Sequence, residues 1–429
     1  MTKPSVAAGK YRQSPFSRSN QREAKLQTIL SESARLFNFQ GSRATTLDDI
    51  AESIGLTKTS IYYYARNKEE LVYKCYLFSC DAGDEIMAEA EEGAKNGLEC
   101  VFNFLRIFLA RGDEINRGKR PHSAMLVEIP VLATPHRQEI EARVQRHFDT
   151  VLGFVRRGLA DGSIAGCEPV PTTQAIMALV NWTYVWFGQV ADKDRSAAIE
   201  QMLDAIENGI STEPYQFRPM DFPKPDDHMP SGFDREEQNK LKRDAFLRVG
   251  SRMFNERGYR GASLDEVASQ LHVTKGAFYH HISNKEDLLY QCFQRTLEVE
   301  SELIDKARES EGSGANKIEL VLRHLFNVQH SDAGPLIRYR NLLSLDMDRR
   351  VEILEKTQAS SDRLGELIRE GIADGSIRQV DPLIVENLIA GTVDAAPDIA
   401  LRMRIDDIEK VSADYIQLFF NGIANREQR

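Results

Sequence analysis

Two short runs gather the side chains able to bind phosphate and to read a nucleobase. The first is Thr57-Lys58-Thr59-Ser60-Ile61-Tyr62-Tyr63-Tyr64, with Lys68 four residues on. The second is Thr274-Lys275-Gly276-Ala277-Phe278-Tyr279-His280-His281, with Lys285 four residues on. Lysine donates to guanine, and threonine offers a methyl to thymine or a hydroxyl to other bases, so Lys58 with Thr59 and Lys275 with Gly276 are the candidates for touching base edges. Tyr62, Tyr63, Tyr64, Tyr279, His280 and His281 are placed for phosphate or sugar contact, although Tyr62 and Tyr279 also fit as packing residues. The two imidazoles add a pH expectation: affinity for a polyanion rises as pH falls through about 6.5. No other chemistry is signalled. Glycine-rich phosphate loops, nucleophile elbows and paired-carboxylate motifs are missing, so no enzyme and no cofactor are expected. His122, His136 and His147, at spacings of 14 and 11, match no zinc pattern.

Short helices must hold these side chains. Thr46 stands three residues before Asp49, and Asn67 three before Glu70, so each can cap a helix whose first turn carries the acid that the macrodipole favours. Ile50, Ala51 and Ile54 fall at helical spacing, and Gly55 sits where the chain must reverse in a left-handed conformation. Thr57 then begins a second helix of under three turns. Such a unit suits a major groove: the first helix braces while the second faces outward. Backbone amides at Thr46 and Ser263 are expected to meet phosphate, and Lys68 and Lys285, starting the next helix, to do so with a full charge.

The second run repeats the first. Arg35/Arg252, Phe37/Phe254, Asn38/Asn255, Gly41/Gly258, Leu47/Leu264, Asp48/Asp265, Ala51/Ala268, Thr57/Thr274, Lys58/Lys275, Tyr62/Tyr279, Lys68/Lys285 and Cys75/Cys292 are identical pairs at an offset of 217. Gly158-Leu-Ala-Asp-Gly-Ser-Ile164 matches Gly371-Ile-Ala-Asp-Gly-Ser-Ile377 at an offset of 213, so the duplication extends beyond the short helices.

An amphipathic helix ending in Leu-Phe or Met-Phe, then Gly, then Thr/Ser-Leu-Asp-x-Ile/Val-Ala, then Thr-Lys-x-x-Ile/Phe-Tyr and Asn-Lys-Glu resembles the DNA-binding domain of TetR-type repressors. The resemblance implies an all-α fold with two units, each a helix-turn-helix domain followed by a helical effector-binding and dimerisation domain. It also implies that the long helix leaving the DNA-binding domain, Leu71 to Gly93, couples effector to reading-helix spacing. A usual member carries one unit and dimerises, whereas this chain carries two.

The 429 residues, 41% hydrophobic and 28% charged, are globular in composition and have no apolar run long enough to span a bilayer. No apolar signal-peptide core is present, and five cysteines without a Cys-x-x-Cys pair suit a reducing, cytoplasmic setting. A net charge of −10 argues against indiscriminate binding to nucleic acid but not against local binding. Residues 1–20 form a basic leader with Lys3, Lys10, Arg12 and Arg18, either solvated chain or an arm for groove or phosphate. The expected domains follow as 21–76, the first helix-turn-helix domain, and 77–210, its regulatory domain. A proline-rich linker, 211–235, leads to the second helix-turn-helix domain, 236–293, and the second regulatory domain, 294–429.

In the first regulatory domain, helix breaks are expected near Arg111-Gly-Asp, Arg117-Gly-Lys-Arg-Pro, Ala133-Thr-Pro, Asp161-Gly-Ser and Glu168-Pro-Val-Pro. The segment from Ile176 to Phe187 is apolar nearly all round and must be covered on every side. It serves as core and protein interface, or adds a wall of an effector pocket lined by Phe104, Phe108, Trp182 and Trp186. At the positions of Trp182, Tyr184, Trp186 and Phe187 the second copy has Ala395, Pro397, Ile399 and Ala400. Large residues facing small ones suggest that the halves join in an asymmetric four-helix interface, an intramolecular pseudo-dimer, with further dimerisation of chains left open.

The reading-helix residues differ between copies, so an operator with unequal half-sites is expected. The function that results is a DNA-binding transcriptional regulator of double-stranded DNA, in the leading form a repressor released by a small apolar or amphipathic effector. The alternative is an architectural or partner-dependent DNA-binding protein with no effector.

Overall fold

The computed structural model describes residues 18–126, 128–222 and 235–425; for 18–20 and 235–238 only the backbone is described. The basic residues of the leader before Arg18 lie outside the described residues, as do positions 223–234 of the linker. Each half begins with four helices. In the first half these are α1 (Arg18–Ala44), α2 (Leu47–Ser53), α3 (Lys58–Tyr62) and α4 (Lys68–Glu91). α5 (Gly97–Asn116), α6 (Thr134–Asp161), α7 (Pro169–Trp186) and α8 (Arg195–Asn208) complete it. The second half repeats them as α9 (Arg235–Gly261), α10 (Leu264–Gln270), α11 (Lys275–Tyr279), α12 (Lys285–Glu309), α13 (Gly314–His330), α14 (Met347–Asp374), α15 (Pro382–Ala395) and α16 (Ile408–Asn421). Among the described residues the rest is turns and short 3-10 segments, including Ile129–Val131 and Tyr339–Ser344. No described helix is long and apolar enough to cross a membrane.

Each head has its own core. Ile29, Leu30, Ala34 and Phe37 of α1 pack on Ile50, Ala51, Ile61, Leu71 and Cys75, and the second head repeats this with Phe246, Leu247, Phe254, Val267, Phe278, Leu288 and Cys292. Cys75 and Cys292 are buried, and each thiol faces a carbonyl of the first helix of its head, Leu30 and Leu247. Burial pushes the Cys292 thiol up to about 12, so it stays protonated and serves packing. The same geometry ties each head to its regulatory domain. The Asn38 amide donates to Ser123 O and accepts from Met125 N, both at 2.8 Å, while Asn255 donates to Leu336 O at 2.8 Å and accepts from Arg338 N at 3.0 Å.

A large core is built from α4–α8 and α12–α16 together. α7 lies against α15 and α16, and α8 against the same two helices, so four helices join the halves. This accounts for the all-round apolarity of α7: one face covers its own core and the other meets the second half. At the far end the terminal helices cross. Past α8, Ile210 and Ser211 donate to Phe419 O and Phe420 O at 2.8 and 3.0 Å; past α16, Ile423 and Ala424 donate to Ile206 O and Glu207 O at 3.0 and 3.1 Å. Two isolated bridges, Ile164 with Ala424 and Ser211 with Ile377, complete a reciprocal pattern in which every member has its counterpart 213 residues away. Gly209 (φ 69°) and Gly422 (φ 73°) make the crossing possible, since a Cβ on either would fall within 2.2–2.3 Å of a carbonyl oxygen of the other half.

One expectation is corrected. No break occurs at Arg111-Gly-Asp: α5 runs through it to Asn116. Open space beside Gly112, and ion pairs from Arg111 to Glu85 and Glu89 of α4, keep the helix in register there. The first part of the linker is docked on the second half. Tyr215 packs on Phe420, and its hydroxyl donates to Glu319 at 2.6 Å. The carbonyl of Arg218 accepts from Arg323, which is itself buried and paired with Glu319 at 2.8 Å. Aromatic burial and a buried ion pair thus hold residues 211–222 against the second regulatory domain.

Candidate nucleic-acid interface

The two helix-turn-helix units form through the caps expected. Thr46 accepts from Asp49 N at 3.1 Å while Asp49 accepts from Thr46 N at 2.7 Å, a reciprocal capping box; Ser263 caps α10 through Glu266 N. Hydrogen bonding to the Thr46 backbone holds the Asp49 carboxyl below its usual range. α2 stops in a left-handed residue, with Gly55 N bonded to Glu52 O and Leu56 N to Ala51 O. α10 stops the same way, with His272 N on Ser269 O and Val273 N on Ala268 O, but there the left-handed residue is His272 at φ 53°. Thr57 and Thr274 cap the reading helices by accepting from Ser60 N and Ala277 N.

Each reading helix is anchored by one side chain, Ile61 or Phe278, both fully buried. The others face out. Lys58, Thr59, Lys275 and Gly276 are exposed; Tyr62 and Tyr279 are each 47% exposed and Tyr63 65%. Tyr64 is half-buried, edge-on to Tyr63, and the guanidinium of Arg22 lies 5.0 Å from the Tyr63 ring. The exposed rings of Tyr62 and Tyr279 leave packing to Ile61 and Phe278.

Acidic partners that sequence reasoning did not assign engage both lysines. Lys58 Nζ lies 2.5 Å from Asp48 and Lys275 Nζ 2.7 Å from Asp265. These bonds raise both lysines above their ordinary range. Asp48 and Asp265 were visible only as an identical pair, with no hint that α2 and α10 would aim them at the next helix. An exposed pair of this kind is worth little, so phosphate or guanine can displace the aspartate.

Lys68 and Lys285 are less free than their sequence position suggests. Lys68 Nζ donates to Thr45 O at 2.8 Å and Arg43 O at 3.3 Å, and Lys285 Nζ to Arg260 O at 3.3 Å, so each closes the end of its head's first helix. Burial, and then the arginine of the opposite head, hold both ammoniums below the usual lysine range. His280 is exposed, but His281 is half-buried, its ring 5.7 Å from Phe246. Burial, then His280, Lys242 and Arg243, keep His281 below its ordinary value, so it gains its charge at a lower pH than a free imidazole does.

The four aromatics of the candidate effector pocket are not brought together. Phe104 and Phe108 are neighbours at 6.3 Å, and Phe108 stands edge-on to Tyr184. Trp186 packs on Phe187 in the core. Trp182 faces the other half, 5.1 Å from Tyr339 and over Gly391. The three histidines lie apart: His136 stacks on Tyr73 at 3.8 Å and bonds Glu69, His147 bonds Asp84, and the His122 amide bonds Ser31.

Known proteins resemble parts of this chain. Residues 29–74 and 246–292 each match the family described as bacterial regulatory proteins, tetR family, and residues 106–210 match the tetracyclin repressor-like C-terminal domain. The Transposon Tn10 TetC protein of Escherichia coli is 25% identical over 32% of this chain and 70% of its own length. The transcriptional activator FasR of Mycolicibacterium smegmatis is 25% identical over 39% and 77%, and the repressor KstR2 of the same species 22% over 34% and 72%. Among solved structures, PfmR from Thermus thermophilus is similar over 40% of this chain and 94% of its own, at 23% identity and a TM-score of 0.34. AibR, solved with isovaleryl coenzyme A and operator DNA, is similar over 42% and 96%, at 22% and 0.36. With its paired reading helices and the family's signature matched twice, the chain belongs to the TetR family of DNA-binding transcriptional regulators and carries two of the family's units in tandem.

Proposed function

We propose that the two halves act as one intramolecular pseudo-dimer on an operator whose half-sites differ. The observation that carries this reading is the pair of unequal reading helices set on halves joined by reciprocal contacts. Thr59 stands where the other helix has Gly276, Ser60 where it has Ala277, and Tyr63-Tyr64 where it has His280-His281. Lys58 and Lys275 read base edges after leaving Asp48 and Asp265. The residues Thr46, Thr57, Ser263 and Thr274 present helix N-termini to phosphate, and the exposed tyrosines with His280 and His281 meet backbone and sugar.

Regulation is by a small apolar or amphipathic effector, in the leading form relieving repression. Relatives named as a repressor, KstR2, and as an activator, FasR, are compatible with control of either sign. The first regulatory domain suits the effector better than the second. Where the second half sets Arg338 against Asp398 at 2.5 Å and Asp394 at 3.4 Å, the first has Met125, Val185 and Asn181. An apolar ligand meets no ion pair at those positions of the first domain, so the neighbouring Phe104 and Phe108 remain its candidate contacts.

The test starts from duplexes selected on the full chain out of a random pool. Lys58→Ala and Lys275→Ala are each expected to weaken binding and to relax preference at different half-sites, by about 1–3 kcal/mol at a guanine contact. A palindromic consensus with equal protection of both halves refutes the unequal operator, and loss of preference from only one of the two variants refutes the two-headed reading.

A further inference from the structure

Where α1 and α9 end, the heads touch each other. The guanidinium carbon of Arg43 stands 4.4 Å over the ring of Tyr259, and its Nη1 donates to Ser344 O at 3.4 Å. Lys285, from the second head itself, places its ammonium 4.8 Å from the same ring. Tyr259 is held in this attitude by its own core, stacked at 7° on the buried Phe254. Beside it the kink of α1 meets the second half, with Leu343 Cβ 3.3 Å from where a side chain on Gly41 would begin. The 3-10 segment Ile129–Val131 of the first half lies in turn against α9.

The seam is one-sided. Duplication places Ser42 opposite Tyr259, and Ser42 is buried with its amide bonded to Glu128 at 2.8 Å. A single ring therefore takes a cation from each head. Positive charge crowds this seam, because Lys68 feels Arg260 and Lys285 feels Arg43 across it, with Glu128 lining the same cleft. Like charges this close push the heads apart, and the negative face of an aromatic ring offsets that push.

We propose that Tyr259, clasped between Arg43 and Lys285, is a positioning residue that fixes the separation of the two reading helices and thereby selects the spacing of the half-sites rather than their sequence. The inference rests on the two-headed reading above. One inserted base pair moves a half-site by about 3.4 Å along the duplex and turns it by roughly a tenth of a helical turn. Heads held by a clasp cannot follow such a step without breaking it. Heads without the ring, left with the Arg43–Ser344 bond and the packing of the 3-10 segments at the seam, follow it more readily.

The experiment uses the full chain and its selected operator, rebuilt with one or two base pairs added or removed between the half-sites. The native chain is expected to lose about tenfold or more in affinity at the first step, as expected when protein or DNA must be deformed to restore both contacts. Tyr259→Ser, which copies the first unit, and Arg43→Ala are each expected to reduce that loss to about threefold or less, while discrimination within each half-site keeps its native ratio. Tyr259→Phe keeps the ring and is expected to behave as the native chain. If the native chain is sharp and both variants are equally sharp, the clasp does not set spacing, and the two-headed reading stands. If the native chain binds all spacings and an isolated half-site alike, the two-headed reading fails and the inference with it.

Discussion

Replacing Gly209 by alanine tests the reciprocal crossing that joins the halves. Gly209 has φ 69° and ψ 177°, a region open essentially to glycine alone and costing another residue about 1–3 kcal/mol. The new Cβ would stand 2.2 Å from Phe420 O and 2.5 Å from Gly422 N, backbone atoms that cannot rotate aside. Making room separates Ile210 N from Phe419 O and Ser211 N from Phe420 O, each bond worth about 1 kcal/mol net. Together these give a loss of roughly 3–5 kcal/mol, a large part of the 5–15 kcal/mol typical of a folded domain. Gly422→Ala meets Glu207 O at 2.3 Å from φ 73° and ψ −178°, so the two variants are expected to agree within about 1 kcal/mol. Gly112→Ala is the control: it lies inside α5 in open space and should gain about 0.5–1 kcal/mol. Urea unfolding followed by fluorescence of Trp182 and Trp186 reads all three. A loss below about 1 kcal/mol for either crossing glycine, or a large difference between them, refutes the reciprocity.

The left-handed turn residue offers an exchange: His272→Gly should stabilise the second head by about 0.5–1 kcal/mol, the left-handed penalty of 1–2 less the extra chain entropy of glycine. Gly55→His should cost the first head a similar amount, since no atom lies near a Cβ there; thermal melts that leave both unchanged contradict this. For pH, phosphate favours the charged imidazole, so the bound state holds His281 above its free value, which burial has lowered. Affinity is then full below the free value and declines as pH rises, starting under about 6.5. Titration of DNA binding from about pH 5 to 8 checks it, and a slope that survives His281→Asn removes His281 from the contact.

Local signals were legible wherever one side chain decides the backbone. Thr46, Asn67, Thr57 and their counterparts cap the expected helices, Gly55 follows the end of α2, and Gly41 kinks α1 three residues before its end. The two offsets, 217 and 213, are also explained: the copies are in register through Gly97 and Gly314 and again from Thr134 and Met347, so the four residues are lost between α13 and α14. Contacts between residues some 200 positions apart carry no periodicity. Nothing in the sequence marks Tyr259 as the ring that receives Arg43, Asp48 as the partner of Lys58, or Tyr215 as an anchor of the linker. Trp182 was visible as bulk facing something small, but the small partner is Gly391, three residues beyond Leu388 on α15, rather than the aligned Ala395. Alignment pairs equivalent positions, whereas crossing helices bring together inequivalent ones.

The crossed chain ends also change how pairing responds to supply. Subunits that associate by diffusion lose their pairing on dilution, and related subunits can be exchanged for one another. In the one-chain assembly proposed above, the second half is tethered to the first at an effective concentration of about millimolar, so pairing would not depend on how many copies a cell holds. Each half is then at liberty to drift from its sibling, provided that Gly209 and Gly422 continue to accept one another.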